Sequence, residues 1–154
     1  MKRFVFIICT VCLSMMFMAC SDRLTKEASK QMKITISQLA KDPNAQISDT
    51  KTTFKADSLI VMNCVVRGLN ALGGYARNDM EYVYAIFKDG VRMELVRNLD
   101  NEESVLEQIE DIFEEYGNKQ RNSPGESMNE AKKQIEAGIY IQLVMLGRKV
   151  EKAR

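Results

Sequence analysis

The side chain with the clearest chemistry in this sequence is a cysteine at a border. Phe17-Met18-Ala19-Cys20-Ser21-Asp22 closes an uncharged apolar run, Phe4 to Ala19, that follows Lys2 and Arg3. A basic start, a short apolar core and a small residue before the cut form the pattern of an export signal. Ala19 suits a signal-peptidase pocket, and Cys20 supplies a thiol that can take a diacylglyceryl group. Phe17 and Met18 stand where bacterial lipoproteins usually carry Leu and a small residue, so the box is a loose one. The expectation is a signal over residues 1–19, a lipidated N-terminus and short tether over 20–23, and one domain over 24–154. Ordinary cleavage after Ala19, which would release a soluble periplasmic protein, is the competing reading. An uncleaved anchor competes less well, because a bilayer span needs about 20 apolar residues and this run is shorter.

The lipid would be the only cofactor-like group, covalent at Cys20. Each buried methylene contributes about 0.8 kcal/mol and one chain alone holds only marginally, so two or three chains give a stable anchor. Ser21, rather than Asp, follows Cys20, which favours the outer membrane. The weak acidic content just after Cys20 favours the periplasmic face.

A second source of chemistry is acidic. Residues 98–118 hold eight carboxylates and no Lys or Arg. Carboxylates three and four apart share a helical face, so Glu107, Glu110, Asp111 and Glu114 form a stripe that can meet a cation or a basic partner surface. A carboxylate pair is also the machinery of glycoside hydrolysis. The alternative is a solvated face whose acids near the helix start are favoured by the helix dipole. Calcium prefers oxygens from a turning loop, which argues against a metal on this stripe. Tyr82 and Tyr84 alternate on one strand face with Met80 and Ile86, and that row is either core or a sheet-face binding platform.

Other constellations carry less. Cys9 and Cys12 lie in the signal, which leaves Cys20 and Cys64. An oxidising compartment rewards paired cysteines, so a lone Cys64 is most simply a small apolar core residue. The chain has no His and no Trp. It therefore lacks the side chain most used for acid–base work near neutral pH and the imidazole ligands of zinc or copper. Losing Lys2 and Arg3 with the signal leaves 20 basic against 21 acidic residues, a net of −1, which gives no basic face for nucleic acid. Gly68-Leu-Asn-Ala-Leu-Gly73-Gly74 lacks the Lys-Ser/Thr of a phosphate loop and is better explained by positive φ in a tight connection. No Gly-x-Ser-x-Gly elbow occurs.

The elements that must position these residues follow from periodicity. Leu24, Ala28, Met32, Ile36 and Leu39 recur at helical spacing, and Asp42-Pro43-Asn44 stops that helix. Residues 46–54 are polar and Thr-rich, as an edge strand is. Residues 58–67 are apolar on both alternating faces, the mark of a central strand covered on both sides. Residues 80–87 and 91–96 flank Asp89-Gly90, a two-residue hairpin signal. Asp100 and Glu103 resemble a capping pair for a helix with Val105, Ile109, Ile112, Phe113 and Tyr116 on its apolar side and Gly117 as its stop. Ser123-Pro124-Gly125-Glu126 opens a last helix whose stripe runs Met128, Ala131, Ile135, Ile139, Leu143, Leu146 and Val150, widening past one face from Ile139 to Leu146. The fold expected is α+β: one N-terminal helix, an antiparallel sheet of about four strands, and two C-terminal helices packed on it.

Within this frame a pattern is visible. Leu39-Ala-Lys-Asp42-Pro43-Asn44-Ala45-Gln-Ile47, Asp57-Ser58-Leu59, Asn70-Ala-Leu-Gly73-Gly74-Tyr75 and Met80-Glu81-Tyr82-Val83-Tyr84 resemble small exported bacterial proteins, several of them lipoproteins of the Bacteroides type. The resemblance spans roughly residues 37–96, with Asn44 where relatives often have Ser and Leu72 where an aromatic is usual. It implies export and a compact sheet-plus-helix fold, and it nominates no catalytic residue.

Three functions fit these residues. The leading one is a non-enzymatic outer-membrane lipoprotein that binds or supports another envelope protein. A soluble or tethered periplasmic small-ligand binder is the second, and a carboxylate-based carbohydrate- or peptidoglycan-active enzyme the third. Lipidation itself is directly measurable. The intact mass of membrane-extracted protein should correspond to a chain starting at Cys20 plus two or three acyl chains, and a Cys20→Ala variant should lose that species. A bare chain beginning at Cys20 in the soluble periplasm would refute the tether.

Overall fold

A computed structural model describes residues 23–40, 42–70, 72–111 and 128–150. Helix α1 covers 23–39. Strands β1 (Gln46–Lys55), β2 (Leu59–Leu69), β3 (Tyr75–Ile86) and β4 (Arg92–Asn98) follow. Helix α2 is described over 105–111, and α3 (Met128–Leu146) leads into a short β5 (Arg148–Lys149). All strand pairs are antiparallel, in the order β1-β2-β3-β4-β5. The α+β architecture is as expected, with five strands rather than four.

The fifth strand exists because α3 stops sooner than its apolar stripe suggests. Gly147 donates its N–H to the Leu143 carbonyl, and a Cβ on Gly147 would lie 2.4 Å from that oxygen. Only glycine fits there, because any side chain would collide with the Leu143 carbonyl. Arg148 and Lys149 then pair with Glu94 and Met93, and Val150 packs against the cluster under α1. Leu146, expected in the core, is 56% exposed.

β2 is the centre of the molecule. Ile60, Met62, Cys64 and Val66 join Tyr82 and Tyr84 beneath Leu24, Ala28, Met32 and Ile36 of α1. Leu59 and Val61 face the other way, with Val83 and Ala85, against Val105 and Ile109 of α2 and Ile139 and Leu143 of α3. The sheet is thus covered on both faces, the arrangement that makes both alternating faces of a strand apolar. Helix α3 meets α2 closely at Gly138, where a Cβ would touch the Ile109 side chain at 3.4 Å.

The hairpins are tied by side chains. Between β3 and β4 the Phe87–Val91 pair closes three residues, Lys88, Asp89 and Gly90, with Gly90 at φ 81°. This is the three-residue loop with a left-handed glycine, not the two-residue turn expected from Asp89-Gly90. Asn70 Oδ1 accepts the N–H groups of Leu72 and Gly74 between β2 and β3. Asp42 accepts the N–H groups of Leu69 and Asn44, which holds its carboxyl below the usual range. The residues of the Asp-Pro-x-Ala and Asn-x-x-Gly-Gly-Tyr pattern therefore meet at one end of the sheet as structural staples. Along edge strand β1 the register slips between Ser48 and Lys51, where Asp49 has φ 53°. Such a bulge blunts an edge against further pairing.

Candidate functional site

The tyrosine row is core, not a binding platform. Tyr82 is fully buried and Tyr84 nearly so, their rings stacked with centroids 6.3 Å apart under α1. A buried hydroxyl needs a partner, and each finds a carboxylate. Tyr82 donates to Glu94 Oε2 at 2.6 Å, and Tyr84 donates to Glu27 Oε1 at 2.6 Å. Thr35 of α1 also donates to Glu94, and Arg148 pairs with it at 2.7 Å. Arg92 Nε reaches Glu27 Oε1 at 2.7 Å. Burial first, and then the neighbouring carboxylate, pushes both phenols far above their ordinary value. Both hydroxyls stay protonated and spent on structure.

On the opposite face Glu81 does comparable work. Its oxygens accept the Ser104 hydroxyl at 2.6 Å and the Val105 N–H at 2.7 Å, placing a buried carboxylate at the start of α2, where negative charge is favoured. Ser104, whose Oγ also accepts the Leu106 N–H, is the residue that caps this helix. Asp100, expected in that role, instead sits in the preceding turn and accepts the Asp79 N–H. Arg97, directly opposite Glu81 in register, donates to the Glu103 carbonyl. These buried carboxylates were not singled out in the sequence. Their signal is parity: Glu94 lies opposite Tyr84, and Glu81 shares a face with Val83 and Ala85.

Glu107, Glu110 and Asp111 are exposed on α2, away from the buried Val105 and Ile109. Glu114 and Cys20 lie outside the described residues, as does the Ser123–Glu126 helix start. No cluster of three or more His, Cys, Asp or Glu suited to a metal occurs among the described residues. Cys64 is buried and unpaired, and burial pushes its thiol up to about 11. The nucleophilic thiolate is therefore scarce at neutral pH.

The structure does form a concave site elsewhere, a cleft of about 460 Å³ where the β3–β4 hairpin meets α3. Ile86, Phe87 and Tyr140 line it, with the Phe87 and Tyr140 rings packed edge to face at 5.0 Å as one aromatic wall. Ser58, from the β1–β2 turn, hydrogen-bonds the Tyr140 hydroxyl. Lys88, Asp89 and Glu136 supply the charge, with Lys88 and Asp89 exposed. Burial raises the Tyr140 hydroxyl against a lowering from Ser58, so it is no base for the Ser58 proton at neutral pH. The pair is built for packing and hydrogen bonding. Sequence reading missed this site because its parts are far apart in the chain: a turn, a hairpin tip and one turn of α3.

Two exposed apolar surfaces complete the picture. Ile141, Val144, Met145 and Leu146 lie outward on α3, and Leu39, Leu69, Leu72 and Tyr75 gather at the far end of the sheet, with Leu72 95% exposed. No known family model, curated protein or solved structure matches this chain.

The Glu27 cluster carries a pH signature. The Tyr84 hydroxyl, and after it Arg92, hold the Glu27 carboxyl below its ordinary value of 4.5. A depressed carboxyl stabilises the fold above its unfolded value, and that stability is lost as pH falls through the folded value. Glu27→Gln should therefore lower stability at pH 7 and flatten its decline below about pH 4.5, read by urea midpoints across pH. Parallel declines in the two proteins would show that Glu27 is not responsible.

Proposed function

We propose that the protein is a lipid-anchored, non-enzymatic binding module of the bacterial envelope, tethered through Cys20, whose ligand site is the Phe87–Tyr140 cleft. The cleft carries the reading. Its volume of about 460 Å³ falls within the roughly 300–1,000 Å³ of small-molecule sites, which are mostly apolar with a few placed polar groups. The absence of a working nucleophile in it supports binding over turnover: the Ser58 hydroxyl faces a protonated phenol, and the exposed acids of α2 stand on a regular helix. This moves the expected ligand platform from Tyr82 and Tyr84 to Phe87 and Tyr140.

A second reading, engagement of an envelope protein partner, is favoured by the outward apolar residues of α3. Scattered exposed apolar residues are ordinary, but a contiguous group marks interaction surfaces.

One titration separates the two. In the chain from Ser21 onward, anilinonaphthalene sulfonate should bind once per chain with saturation. Phe87→Ala should weaken it at least about tenfold, or 1.4 kcal/mol, and Leu72→Ala should leave it unchanged. Loss of binding in Val144→Lys but not in Phe87→Ala would transfer the site to α3 and favour the partner reading. Several weak, unsaturable sites would sink the cleft.

A further inference from the structure

The cleft and the start of α1 share one end of the sheet. Thr25 accepts a hydrogen bond from Lys55 at 2.8 Å, and Glu27 reaches Arg92. The Ile86 N–H donates to the Ser58 carbonyl, and Ile86 pairs with Arg92. Lys55, Ser58, Ile86 and Arg92 therefore belong to a single rim, with α1 entering on one face of the sheet and the cleft opening beside the other. Only Ser21 and Asp22 lie between Cys20 and Arg23, and an extended chain spans at most about 3.6 Å per residue. A lipid on Cys20 thus holds Arg23, the first residue of α1, within about 11 Å of the headgroups, and the rim is the end of the sheet nearest to it. Leu72, at the opposite tip, is held furthest from them.

The chemistry of the cleft has the same polarity. Ile86, Phe87 and Tyr140 line it, and the Ser58 and Tyr140 hydroxyls bond to one another, which removes polar character from the wall. Exposed Lys88 and Asp89, with half-buried Glu136, carry the charge of the lining, Lys88 being its one cation among the described residues. A largely apolar wall beside a few charged groups suits an amphiphile better than a polar metabolite, which would leave its own groups unpaired inside.

We propose that the cleft takes one acyl chain of a bilayer phospholipid, with the lipid phosphate at Lys88 and the chain laid along the wall that the contacting Phe87 and Tyr140 rings form with Ile86. This rests on the lipidation of Cys20 and on the cleft being the ligand site. The protein then grips its membrane twice, covalently at Cys20 and reversibly through the cleft, fixing how the domain stands on the bilayer.

The test uses the whole lipidated protein in phosphatidylethanolamine vesicles containing the same lipid with a diazirine in its acyl chain. Irradiation should place adducts on Ile86, Phe87 and Tyr140. Adducts confined to the Arg23–Lys26 turn, or none on the domain, would overturn the proposal. A second measurement uses the lack of tryptophan in the chain. Phe87→Trp and Leu72→Trp each create a sole tryptophan that can be excited apart from the tyrosines, and phospholipid brominated in its acyl chain should quench the first at least fivefold more than the second. Equal quenching, or stronger quenching of Leu72→Trp, would also overturn it. If Phe87→Trp responds to anilinonaphthalene sulfonate while vesicles give no cleft adducts, the phospholipid falls and the ligand site survives. If neither responds, both fall.

Discussion

The Tyr82 hydroxyl lies beneath a helix, in a fully buried position, and it can stay there only because Glu94 accepts its hydrogen bond. Covering a sheet on both faces forces this arrangement. A polar group that points into either layer is costly without a partner, and among the described side chains only Asn63 Oδ1 is buried without one. The chain answers with carboxylates on or against the sheet, each joined to a covering helix. Glu94 binds Thr35 of α1, Glu27 of α1 binds Tyr84 and Arg92, and Glu81 caps α2 through Ser104 and the Val105 N–H. Apolar burial supplies the adhesion between layers. The carboxylates select the docking position, because a shifted helix would leave a buried charge or hydroxyl unpartnered, at a cost of several kcal/mol for a charge.

This division of labour explains which parts of the fold were legible. Apolar spacing is a local property, so α1, the doubly covered β2 and the stripe through Ile139 and Leu143 could be read directly. The antiparallel meander followed from short connections between strands. What failed was decided by contacts distant in sequence. Tyr82 and Tyr84 look the same on paper whether a helix covers them or a ligand does; α1, some fifty residues away, makes the difference. Asp100 and Ser104 are both good capping residues, and the choice between them is made by Glu81 on β3. The last helix seemed to continue through Val150 because Leu146 and Val150 keep the spacing, yet the close approach of Gly147 to Leu143 ends it and frees Arg148 to reach Glu94.

The cleft was invisible for the same reason in stronger form. Ser58, Phe87 and Tyr140 share no motif, and their meeting depends on where α3 crosses the hairpin. Once assembled, the site is notable for what its hydroxyls do. A serine beside a tyrosine invites a catalytic reading, but catalysis by serine needs a base to take its proton. Here the neighbouring phenol is itself held protonated by burial. The pair satisfies itself, leaving a largely apolar slot whose charged groups are Lys88, Asp89 and Glu136.

The molecule is therefore polarised from end to end. Asp42 and Asn70 staple one end, which displays Leu72 on a well-braced turn. The other end holds the start of α1, the hairpin tip and the cleft. A tether of three residues attached to the second end would not merely hold the domain nearby. It would restrict rotation enough that a weak contact at the same rim is made at high effective concentration, since a short linker turns a second binding step into an intramolecular one. With such an anchor the cleft would not need to bind an acyl chain tightly to stay filled, because the tether would already have met most of the entropic cost of bringing the two surfaces together.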